Sequence, residues 1–376
     1  MIWLEMLVPV ILSFYTILIF VSVFTLLFSK KENAEEFLPS EKISVIIPFR
    51  NEVENMITCL EGISTQDYPI ELIEIILSDD HSEDDSKQIA VDFLFKKGIT
   101  YKLIDLKELH QSGKKAAIET AVSKATGTII VTRDADTYTE SNLWLKSIAY
   151  QFKSMKSDLV LAPVILSGKS FIQTFQRFEN IAITCIGYAF AKNKLPFVCS
   201  GANLAYKKTS FIKADPYKEN KNIATGDDLF LLQAFLDSGF RISAAKNIDC
   251  IVYTKAEKSV ASFINQRLRW ASKAKNLHIK PAWFIGSILF LSNIIILIMS
   301  VSCFFGGINW KFCLFTLLYK CIIEFLLLFL GRIMYKQKIN FAYYIPAFTA
   351  NLVYVPLISM ASFVVKSKWK GRKQGV

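Results

Sequence analysis

An α/β domain with a mainly parallel sheet, set between apolar helices, is the fold class that this sequence predicts. Three observations point to it. Short Ile/Val/Leu runs alternate with helix-patterned segments between residues 43 and 131, acidic residues stand just past several of those runs, and long apolar stretches lie towards both ends. Strands that alternate with helices close right-handed crossovers and so build a parallel sheet.

The first element is the apolar stretch Ile2 to Phe28, and three more follow at Ala282 to Phe305, Phe312 to Leu330 and Phe341 to Val365. About 20 such residues cross a bilayer as helix. The hydrophobic content of 52% exceeds the roughly 45–50% of soluble chains, and the surplus is confined to these stretches. The middle therefore reads as a water-soluble domain. The first stretch does not read as a cleaved leader, because it lacks a basic start, runs too long, and is followed rather than preceded by Lys30 and Lys31. Those lysines place Met1 outside and the soluble domain in the cytoplasm, with the chain a multi-pass protein of the cell inner membrane. The expected division is a membrane helix over 1–29, a linker over 30–40, a soluble domain over 41–276, a membrane region over 277–365 and a basic tail over 366–376.

The formal charge of +11 comes from Lys and Arg gathered beside apolar segments, as at Lys30-Lys31, Lys273, Lys275 and Lys280, at Arg332, Lys336 and Lys338, and from Lys366 to Lys373. Near anionic headgroups each such residue contributes about 1 kcal/mol, so the charge reads as membrane contact and argues against nucleic acid. Seven scattered cysteines without a Cys-X-X-Cys pair exclude a disulfide frame or a zinc knot. If all four stretches span, the basic tail falls outside, against the positive-inside rule. Pro346 and Pro356, with Asn351 between them, allow the last stretch to be re-entrant or interfacial instead. Lys320 and Glu324 share a helix face at i, i+4 and can pair or touch a lipid or substrate.

Within the soluble part, Ile43 to Ile47 is a buried strand stopped by Pro48, and Asn51-Glu52 open a helix carrying Met56, Ile57 and Leu60. Glu74 to Leu77 is the second strand, ending in Ser78-Asp79-Asp80, and Ser82 to Asp85 cap the next helix. Thr100 to Ile104 is a third strand, Gly113-Lys114 begin a third helix, and Gly127 to Val131 is a fourth strand delivering Asp134 and Asp136. Ligands of such sheets bind beyond the carboxyl ends of the strands, where these acidic residues stand.

Asp134-Ala135-Asp136 places two carboxylates at alternate positions after a strand, facing one side. They suit Mg²⁺ or Mn²⁺ held against a diphosphate, although such a triplet alone is often a turn. Asp79-Asp80, with Pro48, Asn51 and Glu52 on the neighbouring strand end, can accept hydrogen bonds from base and ribose, or cap a helix. Lys114 can meet phosphate or remain an exposed helix cation. Asp228, beside Asp227 and before the apolar run Leu229 to Leu236, can act as a general base whose pKa the like charge raises, or serve as a helix cap. Gln266, Arg269 and Trp270 fall on adjacent helix faces and can bind phosphate and stack on a sugar, or anchor an interfacial helix. Phe171 to Phe190, aromatic and amphipathic with Arg177 and Glu179 in its polar part, reads as a core or interface helix or as an acceptor-lipid groove.

Taken together, Ile43-Ser-Val-Ile-Ile-Pro48 with Asn51-Glu52, Asp79-Asp80-His-Ser82, Gly113-Lys114, Asp134-Ala-Asp136, Gly201-Ala-Asn203, Gly226-Asp-Asp228, Gln266-Arg-Leu-Arg-Trp270 and Trp369-Lys-Gly-Arg372 resemble the membrane-bound family-2 glycosyltransferases. The resemblance implies a GT-A (nucleotide-diphospho-sugar transferase) fold flanked by one N-terminal and about three C-terminal membrane helices. It implies nucleotide contacts from Glu52 and Asp80, donor or metal contacts from Asp134 and Asp136, Asp228 as base, and acceptor or diphosphate contacts from Gln266, Arg269 and Trp270. Pro48 and Lys114 are expected with the nucleotide-sugar, and Asp227 with the acceptor or diphosphate. Many members carry Glu-Asp where this chain has Asp227-Asp228, which shortens the first carboxylate and leaves the expected base in place.

The family's reaction is a single inverting displacement from a UDP-sugar or GDP-sugar. The leading expectation is metal-dependent transfer of one sugar, from a UDP-sugar foremost, to a membrane lipid or polyprenyl-linked acceptor at the cytoplasmic face. A processive polysaccharide synthase is the alternative, but a polymer channel would require a partner protein or a second copy of the chain. A non-catalytic membrane protein that binds nucleotide-sugar is the third, disfavoured because every expected acidic position is filled.

Overall fold

The computed structural model describes residues 2–30, 32–221, 223, 225–273, 277–364, 368–369 and 372–373. Most of the basic tail, including Lys366, Lys370 and Gly371, lies outside the described residues, as does Lys275. The chain forms two compact units, each assembled from separated segments: a sheet unit of residues 30–167 and 198–255, and a helical unit of residues 1–29, 168–197 and 256–376. That division differs from the contiguous domain over 41–276, because residues 168–197 and those after 255 group with the apolar helices rather than with the sheet.

After α1 (Ile2–Phe28), the sheet unit begins with β1 (Ile43–Phe49), α2 (Met56–Ser64), β2 (Ile73–Asp79), α3 (Ser86–Lys97), β3 (Tyr101–Asp105), α4 (Lys114–Lys124) and β4 (Ile129–Thr132). It continues through β5 (Thr137–Tyr138), α5 (Trp144–Met155), β6 (Leu159–Leu161) and β7 (Val164–Ser167). Beyond α6 (Phe171–Lys192), which belongs to the helical unit, it is completed by β8 (Leu204–Lys207), α7 (Lys208–Ala214), α8 (Asp227–Asp237), β9 (Ile242–Ala244) and β10 (Val252–Lys255). The main sheet runs β3-β2-β1-β4-β8-β6-β9. Its pairs are parallel except where β8 lies antiparallel between β4 and β6. A smaller sheet orders β5-β10-β7.

The apolar runs are buried on both faces, as a parallel sheet covered by helices requires. Ile43, Val45, Ile46 and Ile47 of β1 and Ile75, Ile76 and Leu77 of β2 are fully buried, each contributing about 1.5–3 kcal/mol. Pro48 does not stop β1, which continues to Phe49. β4 pairs with β1 only as far as Ile46, and Phe49 turns its carbonyl to Asp80 beside β2, so the missing N–H of Pro48 faces the side where the ladder has already ended.

The amino ends of the central strands are tied by one buried carboxylate. Glu74, 1% exposed, accepts from Ser44 Oγ at 2.5 Å and Thr126 N at 2.8 Å, and pairs with Lys102 Nζ at 2.8 Å. Gly127 is required there, since a Cβ would come within 2.6 Å of Ser44 N and 2.7 Å of Lys42 O.

The helical unit contains α1, α6, α9 (Val260–Lys273), α10 (Lys280–Phe304), α11 (Trp310–Met334) and α12 (Tyr344–Ala361). Ser170 and Gln173 form a reciprocal capping box that starts α6. Among the described residues, four helices, at Leu4–Phe28, Lys280–Phe304, Trp310–Met334 and Phe341–Ala361, are long and apolar enough to cross a membrane. The last keeps that length with Pro356 inside it. Lys320 and Glu324 do pair.

Glu74 gives the sheet a pH signature. Burial pushes its carboxyl up, but the bonds from Lys102, Ser44 and Thr126 outweigh that and hold it at about 2. A depressed folded-state pKa stabilises above the unfolded value, about 4.3, and the gain disappears as pH falls towards 2. Glu74→Gln should lower the unfolding temperature at pH 7, and the gap from the parent protein should narrow steadily below pH 4.5. Thermal unfolding followed at several pH values checks both parts.

Candidate active site

In the sheet unit, the loops past the carboxyl ends of β1, β2 and β4 and the start of α8 carry the acidic groups. The β1 and β2 loops are fastened to each other. Asn51, held in the left-handed region at φ 53°, donates its N–H to Ser82 Oγ at 3.1 Å and accepts from Glu83 N at 2.8 Å. Asparagine tolerates that conformation better than most residues. Glu52 N donates to Ser86 Oγ at 2.7 Å, while the Glu52 carboxylate accepts from Asn55 Nδ2 at 2.8 Å.

Asp79 and Asp80 are 3% and 4% exposed, and neither caps a helix, since α3 has Asp85 at its N-cap. Asp79 Oδ1 accepts from Ser82 N at 2.9 Å and shapes the turn. Asp80 Oδ1 accepts from Gly113 N at 3.1 Å and lies 3.0 Å from His81 Nδ1. Asp80 thereby links the end of β2 to the start of α4.

That link positions Lys114. Its Nζ lies 2.6 Å from Asp134 Oδ1 and 3.3 Å from Asp227 Oδ2. Burial would drive the ammonium down, but Asp134, Asp227 and Asp228 together outweigh it and hold the group above an ordinary lysine. Lys114 is thus not a free helix cation. Lys115, next in the chain, turns away, donating to Asn220 O at 2.8 Å and lying 4.1 Å from the Phe230 ring centre.

Asp227 and Asp228 occupy the first turn of α8, whose N-cap is Gly226 at φ 87°. The capping role is therefore not theirs, though both benefit from the helix dipole. Asp227 is not an unopposed like charge beside Asp228, because Lys114 stands against it. Gly201 packs over this ion pair. A Cβ there would lie 2.9 Å from Asp227 Oδ2 and 3.2 Å from Lys114 Nζ, so only glycine leaves the pair undisturbed. Cys199 Sγ lies 3.3 Å from Asp228 O.

Sequence reasoning passed over Arg133, the basic residue that directly precedes Asp134. It is fully buried and donates from Nε to Thr137 Oγ1 at 3.1 Å, with its guanidinium 4.9 Å from the Trp144 ring. Thr137 Oγ1 in turn donates to Asp134 O at 2.7 Å. Arg133 therefore folds the turn that presents Asp134 half-buried and Asp136 exposed. The signal was a lone arginine at the end of an apolar strand.

No cluster of three or more Asp, Glu, His or Cys side chains suited to a metal occurs among the described residues. Two oxygen donors on one turn fit a hard divalent ion that completes its shell with water and substrate phosphate, as Mg²⁺ does, and do not fit an all-protein cage.

Gln266, Arg269 and Trp270 belong to the helical unit, on α9. Gln266 Nε2 donates to Glu257 Oε1 at 3.1 Å, and Trp270 is 42% exposed. Arg267, the residue inside the motif that the sequence did not single out, is the buried one. Its guanidinium lies 3.2 Å from Glu179 Oε2 on α6 and 4.4 Å from the Trp270 ring centre.

The model of the family "Glycosyl transferase family 2" matches residues 44–214. That span includes Pro48, Glu52, Asp80, Lys114, Asp134 and Asp136 but stops short of Asp227, Asp228 and the α9 residues. The chain is 25% identical over 211 residues to glycosyltransferase AglE of Haloferax volcanii, covering 55% of this chain and 65% of that one. It is 26% identical over 270 residues to dolichyl N-acetyl-alpha-D-glucosaminyl phosphate 3-beta-D-2,3-diacetamido-2,3-dideoxy-beta-D-glucuronosyltransferase of Methanococcus voltae, covering 71% and 82%. Its fold is similar to that of mannosyltransferase PcManGT from Pyrobaculum calidifontis, solved in complex with GDP-Man and Mn²⁺, with a TM-score of 0.60 at 16% identity over 95% of this chain and 99% of that one.

Asn203 ties three separate segments of the sheet unit together. Fully buried, it accepts from Trp144 Nε1 at 3.1 Å and donates to Pro163 O at 2.9 Å and Cys250 O at 2.7 Å. Asn203→Leu strands an indole N–H and two carbonyls and should cost about 2–4 kcal/mol. Denaturant unfolding measures this, and a change below ~1 kcal/mol would mean that Asn203 does not hold these segments together.

Proposed function

The chain carries a glycosyl transferase family 2 domain, and from that premise we propose that it moves one sugar from a nucleotide-sugar, a UDP-sugar foremost, to a membrane lipid or polyprenyl-linked acceptor. The observation that carries the reading is the cluster in which Lys114 lies between Asp134 and Asp227, with Asp228 next along α8, beyond the carboxyl ends of parallel strands. Nucleotide ligands bind such sheets there.

In this reading Glu52, Asp80 and the strand end at Pro48 hold the nucleoside, with the carboxylates accepting hydrogen bonds from base and ribose. Lys114 has two acidic partners and exchanges part of that pairing for diphosphate oxygens when donor binds. Asp134 and Asp136 would hold Mg²⁺ or Mn²⁺, which when bound screens the diphosphate and stabilises the departing nucleotide. Asp228 removes the proton from the acceptor hydroxyl as its oxygen attacks the anomeric carbon, and inversion follows from attack opposite the leaving group. Asp227, fixed by Lys114, keeps the start of α8 in register. Gln266, Arg269 and Trp270 serve the acceptor or the diphosphate.

Four helices long enough to cross a membrane support an acceptor presented by a bilayer, and the name of the Methanococcus voltae relative carries a dolichyl-linked phosphate. Both favour single transfer to a lipid over polymer synthesis. The basic residues bordering the apolar segments support a catalytic unit on the cytoplasmic side.

Two substitutions test the assignment on the full chain. Asp228→Asn should bind donor as the parent protein does and lose at least ~10²-fold in kcat, and undiminished turnover would remove Asp228 from the base role. Asp136→Ala should weaken donor binding in the presence of Mn²⁺ and leave the metal-free value unchanged. Equal effects with and without metal would contradict its role as ligand.

A further inference from the structure

We propose that a cavity within the helical unit is a binding site for a neutral lipid that carries a free hydroxyl. The proposal rests on these helices lying in a bilayer and not on the transfer reaction, so the lipid need not be the acceptor.

The cavity measures about 320 Å³, at the lower end of ordinary ligand sites. It follows α6 from Phe175 to Ile186 and α12 from Tyr344 to Val355, a length of roughly 16 Å along each helix at the usual rise per residue. Its wall is mostly apolar and aromatic. A long, narrow, greasy space among membrane helices suits a hydrocarbon chain.

The polar groups in that wall specify the rest. Arg267 is neutralised by Glu179 at 3.2 Å. Lys320, fully buried behind the wall, is neutralised by Glu324 and also donates to Asn293 Oδ1 at 3.3 Å. Each of these two cations thus has its own carboxylate, and among the described residues that line the cavity none offers an unopposed positive charge to a phosphate. Two acceptors stand towards the cavity. Glu324 lines it with 12% of its side chain exposed, while its Oε1 accepts from Tyr15 and Lys320. Asn351 also lines it, and its Oδ1 is buried without a hydrogen-bond partner. An acceptor facing hydrocarbon needs a donor. A lipid hydroxyl supplies one, whereas a phosphate would bring more negative charge to a carboxylate. Lys320 and Glu324 therefore divide the two roles that their spacing allowed: the lysine is structural, and the glutamate faces the ligand.

The test uses the full chain in phosphatidylcholine nanodiscs with a photoactivatable diacylglycerol. Unlabelled competitors form matched pairs: diacylglycerol against phosphatidic acid, and a polyprenyl alcohol against its phosphate. Saturable labelling should map to peptides covering 175–186 and 344–355, with each hydroxyl lipid competing at least 10-fold better than its phosphate, and the better of the two alcohols naming the source. Asn351→Leu should lower saturable labelling about 5-fold or more. The double variant Lys320→Met/Glu324→Leu, which leaves no lone buried charge, should do the same. Competition by the phosphates equal to that of the alcohols, labelling that does not saturate, or full labelling of an Asn351→Leu protein that unfolds at the parent temperature would overturn the proposal.

Discussion

Asp134 follows β4 and Asp227 opens α8, far apart in the chain, and their carboxylates share one surface because the Lys114 ammonium stands between them. Without it, like charges a few ångströms apart in a half-buried setting would repel by about 1–4 kcal/mol. Much of the surrounding structure follows from seating that one cation. Gly113 can open α4 at φ 92°, Asp80 receives its N–H, and Gly201 lacks the Cβ that would press on the pair. A lysine at the first position of a helix is poorly placed for the helix dipole, and the three carboxylates more than offset this.

The sheet explains why these groups meet at all. β1, β2 and β4 run parallel, so their carboxyl ends lie at one edge, and the loops leaving them carry Glu52, Asp80, Asp134 and Asp136 together. The opposite edge is closed by Glu74, Ser44 and Gly127, which bind the strands where they begin. The helical unit has its own logic. Arg267 pairs with Glu179 across α9 and α6, and Lys320 pairs with Glu324 one turn along α11, as charges in low-dielectric surroundings must be paired.

The regular part of the fold was legible in the sequence because its signal is local. The first four strands and the helices between them announce themselves by apolar runs, Gly and acidic punctuation, and the apolar helices by length. What stayed hidden was set by tertiary partners. β8 is a short antiparallel strand whose place between β4 and β6 no local pattern reveals. The missing N–H of Pro48 suggests a strand stop, yet the neighbouring ladder has already ended there. Asp79, Asp80 and Asp228 all have plausible capping roles on spacing alone, and only the positions of Asp85 and Gly226 remove them. Arg133 and Arg267 were missed for one reason: each is a buried cation whose role depends on partners distant in sequence, Trp144 for one and Glu179 for the other.

The proposed transfer of sugar from a nucleotide to a lipid at the cluster around Lys114 can be tested directly. The most direct measurement supplies radiolabelled UDP- and GDP-sugars, with Mn²⁺ or Mg²⁺, to the full-length protein in vesicles of its native lipids and separates organic-soluble from polymeric product. The proposed transfer should place label in the organic phase from one nucleotide-sugar, and chelating the metal should abolish it. Label confined to long polymer, or no transfer from any donor by a folded protein, would contradict it.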